Sequence, residues 1–475
     1  MNQIPIHLNK MNEKPNILIM LPHDLGDFLG CYGHPSVQTP HLDAMAARGA
    51  QLRNCFATSP ECTPSRGSLL TGLYPHQNGL MGLSNFGWSL KVPHLAGRMR
   101  DEGYVTHLFG IQHETHDPVE SLGYQHVHKA ESVKSPHVCK SLCSFLQESS
   151  DDTAPPWFAH AGFFDPHRTW CALSDSRFSP DEIEVPPWLP DRPVVRKDLA
   201  RYHEEIAVMD EAVGTVLDTL KETGRDRDTL VLFITDHGAP FPGAKATLYD
   251  PGLRISAILH WPGGIEGGKV YDDLISGTDI VPTILQCIGA EVPDGLAGQS
   301  FLPRLRGEAC DSREEVAGGL FYDVAYDPMH YVRTKTHKYI RSFAVTPEDA
   351  TNADPRTLST FEAGRWVRVD DMDVLCSPTW QALSEEADRS KPPREELYDL
   401  RPDPCERVNL VDDPNSREVL EAMRGRLDRM MRQTDSPLRS GHVPPPPAQV
   451  EAFIKHKPHS PRFVESVNQR KERLS

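Results

Sequence analysis

The sequence predicts an α/β fold, one large sheet flanked by helices on both faces, because buried-strand patterns and helical patterns alternate along it. Short uninterrupted apolar runs recur at Asn16–Leu21, Val105–Phe109, Trp157–Phe163, Thr229–Thr235 and Arg254–His260. A strand covered on both sides has no polar face to show, so it reads as such a run. Between the third and fourth runs, Leu199–Thr223 spaces Ile206, Met209, Val213, Val216, Leu217 and Leu220 as a helix with one buried face. A second unit begins near residue 310.

The first run ends at His23-Asp24, and the second leads into Gly110-Ile111-Gln112-His113. The third leads into Phe164-Asp165-Pro166-His167-Arg168 and the fourth into Asp236-His237-Gly238. Ligands of α/β sheets gather beyond the carboxyl ends of strands, so His23, Asp24, His113, His167, Asp236 and His237 are expected in one crevice. Between the first two runs lies Cys62-Thr63-Pro64-Ser65-Arg66-Gly67-Ser68-Leu69-Leu70-Thr71-Gly72. Pro64 suits the first turn of a helix, and Leu69 and Leu70 can anchor that helix in a core. Position 62 then falls near a helix N-terminus, where unpaired N–H groups and the dipole favour an anion. Arg66, one turn on, adds a planar cationic fork suited to sulfate or phosphate. Taken alone, Cys62 is equally a buried structural thiol, and each histidine a structural strand-end residue.

The formal net charge of −17 excludes general adhesion to nucleic acid or to an anionic membrane, so any anionic ligand must be met by a local cationic pocket. Ten cysteines are scattered rather than spaced as a disulfide framework, and Cys139 and Cys143 have no further Cys or His cluster to complete a zinc site. Reduced thiols are expected. Met1–Lys14 lacks the apolar stretch of a signal peptide and no long apolar span occurs, which makes the cytoplasm the expected location.

The Cys62–Gly72 run resembles the sulfatase signature C-x-P-S-R-x-x-x-L-T-G, and Leu73-Tyr74-Pro75-His76-Gln77-Asn78-Gly79 continues it as many sulfatases do. The similarity extends from Pro15-Asn16-Ile17 to Leu397-Tyr398-Asp399-Leu400-Arg401-Pro402-Asp403-Pro404 and Asn409-Leu410. It implies a large mixed, alkaline-phosphatase-like sheet with a smaller C-terminal α+β subdomain. On this reading residues 12–309 form the catalytic domain. Residues 310–435 form the subdomain, with a helix near Ser416–Gln433, and residues 436–475 form an extended Pro-rich, basic tail suited to wrapping a neighbouring subunit of a homo-oligomer.

The resemblance further implies that a formylglycine-generating enzyme oxidises Cys62 to formylglycine, whose hydrated aldehyde is the nucleophile. Family members hold a divalent cation, usually calcium, between two adjacent aspartates and a late Asp-Asn or Asp-His pair. Asp24, Asp236 and His237 match that set, whereas His23 stands where the first aspartate is expected. Calcium prefers oxygen and imidazole suits Zn2+ or Mn2+, so the metal stays open among these, and His23 is either a ligand or a hydrogen-bonding neighbour. His113 matches the family's G-K-x-H, but the lysine is Ile111. His167 corresponds to the leaving-group acid and Lys245 to a sulfate-contacting cation. Arg66 with the metal would ionise the diol, assisted by Asp236, and His113 would deprotonate its second hydroxyl to expel sulfate. Arg168 is expected either to reach a substrate carboxylate or second sulfate, or to be a surface arginine.

Within the family, His76–Leu83, Asp165–Arg168 and Pro240-Phe241-Pro242 are similar to heparan N-sulfatase (sulfamidase) and its bacterial relatives. The leading expectation is hydrolysis of a sulfate ester or sulfamate, with a small sulfated saccharide as partner. A phosphoester or phosphonate monoester hydrolase using the same formylglycine chemistry is the alternative. A catalytically weakened sulfoglycan-binding protein is the third, motivated by His23 and Ile111.

Overall fold

The computed structural model describes residues 14–148, 154–322, 326–343, 360–362, 365–367, 372–383, 393–441, 443–444 and 446–448. Nine strands form the main sheet: β1 (Asn16–Leu21), β2 (Ala50–Phe56), β3 (Val105–Gly110), β4 (His126–His128), β5 (Trp157–Gly162), β6 (Thr229–Ile234), β7 (Arg254–Ile255), β8 (Ala257–His260) and β9 (Lys269–Ser276). Their order is β4-β3-β5-β1-β6-β8-β2-β7, with β9 beside β2. β1 is central and parallel to β5 and β6, while β8 runs antiparallel to β6 and β2, so the sheet is mixed.

The apolar runs are explained by cover on both faces. Ile17, Ile19 and Leu21 of β1 enter one core with Leu69, Leu70, Ile280 and Ile284. Leu18 and Met20 enter the opposite core with Leu42, Ile206, Met209 and Val213 of the flanking helices. The long helix spans Pro193–Glu222, beginning ahead of its apolar pattern at a proline that suits the first turn. The expected strand Arg254–His260 is instead two, interrupted at Ser256, whose N–H turns to the Gly26 carbonyl at 2.9 Å. β2 and β9 escape the sequence pattern because each carries charged residues on partly exposed stretches.

The second unit is a four-stranded antiparallel sheet in the order β10 (Glu315–Tyr322), β11 (Tyr326–Thr334), β12 (His337–Ser342) and a last strand. A separate hairpin, β13 (Thr360–Glu362) with β14 (Arg365–Val367), precedes that last strand, β15 (Glu395–Asp399). One face is covered by the helix Arg417–Gln433, which buries Leu420, Met423, Leu427 and Met430 against Val332, Tyr339 and Leu397. The other packs Leu320, Met329, Tyr331 and Ile340 on Phe56, Leu253 and Leu274. A buried ionic knot fastens the two units: Asp250 meets Arg333 at 3.0 Å and Lys338 at 2.8 Å, and Lys338 also meets Glu406 at 2.8 Å.

The described start of the tail packs on its own chain, with Val443 buried and its carbonyl accepting from the Tyr322 hydroxyl. The basic segment Arg470–Arg473 and residues 1–13 lie outside the described residues. Among the described residues no helix is long and apolar enough to cross a membrane.

Four histidines are buried neutral by desolvation: His76 and His94 are lowered to about 3, His203 to about 3 and His330 to about 4. Each binds its proton near pH 6.5 when unfolded but not when folded, so the unfolded chain gains protons first as pH falls. Stability is therefore full above pH 6.5 and declines below it, by on the order of 2 kcal/mol per histidine at pH 5. Urea unfolding at pH 7.5, 6 and 5 is expected to show a falling midpoint, and the pH 7.5-to-5 loss is expected to shrink when His94 is replaced by a non-titrating residue.

Candidate active site

The helix Cys62–Thr71 follows directly on an extended Glu61 and ends at Gly72, whose φ of 76° requires the left-handed conformation that glycine adopts freely. Its residue types knit the strand ends together. The Thr63 hydroxyl donates to the His113 carbonyl at 2.8 Å, and the Ser65 hydroxyl donates to the Asp236 carbonyl. Arg66 donates through Nε to Asp236 Oδ2 at 3.2 Å and through Nη2 to the Leu21 carbonyl at 3.1 Å. A Cβ at Gly67 would come within 2.7 Å of Leu80 Cδ1, so glycine lets the helix pack here without displacing that side chain. The signature is thus a packing code as well as a chemical one.

At the open end of the sheet, His23, Asp24, Cys62, Asp236 and His237 are all buried, each offering a ligand atom within 4.8 Å of the others. Asp236 Oδ1 accepts from the backbone N–H of Asp24 and of His237, both at 2.9 Å. Asp24 sits at a φ of 53°, in the left-handed region that aspartate tolerates better than most side chains. Lys245, also buried, donates to Asp24 Oδ2 at 2.9 Å. Burial pushes both carboxyls up, but Lys245 and His167 hold Asp24 well below the usual range, and His237, His23 and Arg66 hold Asp236 at about 2. Both are ionised.

The donor set fits a divalent cation. His237 Nδ1 lies 3.0 Å from the Gly238 carbonyl, which only accepts, so Nδ1 carries a proton and Nε2 is the atom left for a metal. Nε2 faces Asp24 Oδ1 at 3.2 Å and Asp236 Oδ1 at 3.8 Å. Two carboxylates and an imidazole nitrogen converging on one point are a ligand set of the kind divalent cations take. His23 Nδ1 joins them, 3.2 Å from Asp24 Oδ1 and 3.5 Å from Asp236 Oδ2. Burial lowers His23 to about 4, so its ring is neutral.

Cys62 Sγ is 3.4 Å from His237 Nε2. Burial raises its thiol well above the ordinary value, and Asp24, Asp236 and Glu61 add to that push against Lys245. A thiol so disfavoured as thiolate is a poor nucleophile at neutral pH. His23, in the same cluster as Cys62, has its ring 4.8 Å from that of His113 and 5.1 Å from that of His167. His167 Nδ1 donates to the Arg168 carbonyl, and its Nε2 meets Asp373 Oδ2 at 3.0 Å. Burial opposes the charged ring, but Asp373 and Asp24 raise His167 above the ordinary value.

Every residue expected in the crevice is brought there, with one exception. Arg168 is buried, its guanidinium paired bidentately with Asp198 at 2.9 and 2.8 Å, bonded to the Pro240 carbonyl and stacked 3.6 Å over Trp170. With all these donors committed, it reaches no substrate carboxylate or sulfate, nor does it lie on the surface. It is a clamp. Two residues were not foreseen. Glu114 is buried and accepts from the His113 N–H at 3.0 Å, and its place directly after His113 could have flagged it. Asp373 enters from the second unit, with no motif around it.

A buried nucleophile position at a helix N-terminus, a metal-ready ring of carboxylates and imidazoles, and a flanking Lys–His pair define a hydrolytic site for a tetrahedral oxyanion. The comparisons agree. The Sulfatase family model matches residues 15–290, and the model described as N-sulphoglucosamine sulphohydrolase, C-terminal, matches residues 243–354. The chain belongs to the sulfatase family. It is 29% identical to human N-sulphoglucosamine sulphohydrolase over 89% of this chain and 91% of that protein. It is 28% identical to an ulvan-active sulfatase of Formosa agariphila over 89% of this chain and 75% of that protein. Among solved structures, BT4656 in complex with its substrate D-glucosamine-2-N,6-O-disulfate aligns with a TM-score of 0.68 at 17% identity, covering 90% and 100% of the two chains. The phosphonate monoester hydrolase of Silicibacter pomeroyi aligns at 0.67 with 19% identity, covering 90% and 97%. Both of these show the fold.

Replacing Arg168 by Ala leaves Asp198 buried without its partner, and the cost expected in urea unfolding is about 3 kcal/mol or more. Arg168→Lys should recover only part of that, since one ammonium cannot reproduce the fork. A variant with unchanged stability would remove Arg168 from the clamp.

Proposed function

We propose that this chain hydrolyses a sulfate ester or sulfamate on a sulfated sugar, using formylglycine made from Cys62 and a divalent metal held by Asp24, Asp236, His237 and His23. The observation that carries the reading is the placement of Cys62. It opens the helix against His237 Nε2, at the edge of a carboxylate–imidazole ring, in surroundings that disfavour its own thiolate. Conversion to an aldehyde removes that difficulty. Human N-sulphoglucosamine sulphohydrolase and the ulvan-active sulfatase, by their names, act on sulfated sugars and support the substrate class. The phosphonate reading rests on shared fold alone.

Formylglycine would supply a hydrated aldehyde as nucleophile, and a divalent metal held by Asp24, Asp236, His237 and His23 would supply positive charge for the sulfate and for the ionised hydroxyl. The chain's own residues do the rest. Arg66 holds Asp236 in place and adds positive charge beneath the nucleophile. His167 carries a proton on Nε2 toward the leaving atom, next to Lys245. His113, whose ring burial and neighbouring cations keep neutral, is able to accept the proton whose loss releases sulfate. His23 Nε2 is buried without a hydrogen-bond partner among the described residues, and its ring is 4.8 Å from that of His113 and 5.1 Å from that of His167. With Nδ1 turned to a bound metal, Nε2–H would be left to meet the anion and to stand in for the lysine replaced by Ile111, which favours a catalytic reading over an inert binding protein.

Intact-mass analysis of the Cys62 peptide, after co-expression with a formylglycine-generating enzyme, should show the –CH2SH side chain oxidised to –CHO, with sulfur and two hydrogens lost and one oxygen gained, and Cys62→Ala should abolish turnover. A peptide left as cysteine would sink the reading. For the metal, two imidazoles among four ligands favour zinc or manganese over calcium. Elemental analysis after dialysis against calcium is expected to find a transition ion in the native chain and calcium in His23→Asp. Identical metal content in both would take His23 out of the ligand set.

A further inference from the structure

Asp373 sits where a substrate's leaving atom must come. Its Oδ2 lies 3.0 Å from His167 Nε2 and 3.6 Å from Lys245 Nζ, on the two groups that the proposed reaction uses at the leaving side. Asp24 Oδ2 approaches the same pair from the metal side, at 3.8 and 2.9 Å. The residue is buried, and its position is built. It belongs to a short helix, Met372–Leu375, joined to a second, Pro378–Leu383, through Val374 packed on Trp380 and the Ser377 hydroxyl on the Val374 carbonyl. The second helix is pinned by the Thr379 hydroxyl, which donates at 2.8 Å to Asp198 Oδ2, the carboxylate clamped by Arg168. The Arg168 clamp therefore reaches the active site through Asp373.

We infer that Asp373 is a specificity residue, a hydrogen-bond acceptor beside the leaving atom that selects an N–H over a bare ester oxygen; this rests on the sulfatase reading of residue 62, His167 and Lys245. An atom that takes a proton from His167 Nε2 comes to rest within hydrogen-bond reach of Asp373 as well. The bridging oxygen of a sulfate ester has no hydrogen, so beside a carboxylate it sets acceptor against acceptor. A sulfamate nitrogen has both a lone pair for His167 and an N–H for Asp373. In cleavage the sulfur–nitrogen bond breaks with its electron pair left on nitrogen, and His167 Nε2 gives that nitrogen a proton. The oxygen at position 62 takes over the bond to sulfur, and the free amine leaves with two N–H groups, one still on Asp373. A second anionic group next to the scissile bond is disfavoured by the same charge.

The test compares kcat/KM of the matured, metal-loaded protein on glucosamine N-sulfate and glucosamine 6-O-sulfate, both alkyl leaving groups that need a proton, for the native chain, Asp373→Asn and Asp373→Ala. Thermal unfolding establishes that each variant is folded. Loss of a hydrogen bond to a charged acceptor is expected to lower the sulfamate value of Asp373→Ala about tenfold or more. The ester value should fall as well, because Asp373 also supports the charge on His167, but about tenfold less than the sulfamate value, with Asp373→Asn intermediate on the sulfamate. Glucosamine should inhibit the native chain more strongly than glucose, and Asp373→Ala should lose that difference. Equal losses on both substrates would assign Asp373 to holding His167 alone and overturn the specificity role, as would no loss on either. If the native chain, with its aldehyde in place, turns over neither substrate, the sulfatase reading itself fails and the inference with it. Activity on both with equal inhibition by glucosamine and glucose overturns only the inference.

Discussion

Two ionised carboxylates, Asp24 and Asp236, are buried side by side at the ends of neighbouring parallel strands, and most of the active-site architecture follows from holding them there. Taking such charges out of water costs several kcal/mol each unless partners answer them. Asp236 is answered by Arg66 and two backbone N–H groups, and Asp24 by Lys245. Arg66 comes from the helix that also presents position 62. The same bond that neutralises Asp236 therefore fixes position 62 against the ring of carboxylates and imidazoles.

This constraint reaches beyond the main sheet. Lys245 stands on the loop after β6, and that loop ends in Asp250, the centre of the ionic knot with Arg333, Lys338 and Glu406. Burial pushes the Asp250 carboxyl up, but Arg333 and Lys338 bring it well below the usual range, so the knot stays charged. The second unit thus braces the loop that delivers the active-site lysine. It also delivers Asp373. A catalytic centre lined chiefly by strand ends of one sheet is closed by a residue of the other unit.

How much of this was legible in the sequence followed from how local each cause is. β1, β3, β5 and β6 were readable because strands buried on both faces have little choice but apolar residues, and the residues ending them were readable as chemistry. β2 and β9 each carry a short exposed stretch, Arg53 in β2 and Val270 and Asp272 in β9, and the polar residues of these strands dissolve the pattern. Arg168 looked available because nothing nearby in sequence pairs with it; Asp198 comes from the long helix and is matched only in space. Asp373 gave no signal at all, since its position depends on Val374 packing on Trp380 and on Thr379 touching Asp198, contacts that no motif marks.

The two departures from the family pattern, His23 and Ile111, make more sense together than apart. Histidine in place of aspartate removes one negative charge from the ring, and isoleucine in place of lysine removes one positive charge from the anion pocket. The two exchanges cancel in formal charge, so on the proposed reading an incoming sulfate would meet the same net charge. What changes is its distribution: on the proposed reading, a neutral imidazole with Nδ1 toward the carboxylates and its ring 4.8 and 5.1 Å from the His113 and His167 rings would take on both roles. Restoring either family residue by itself would unbalance the site, with a third carboxylate in the ring or an additional cation beside Arg66 and Lys245. The pair is best understood as one exchange, in which imidazole does with geometry what a separated aspartate and lysine do with charge.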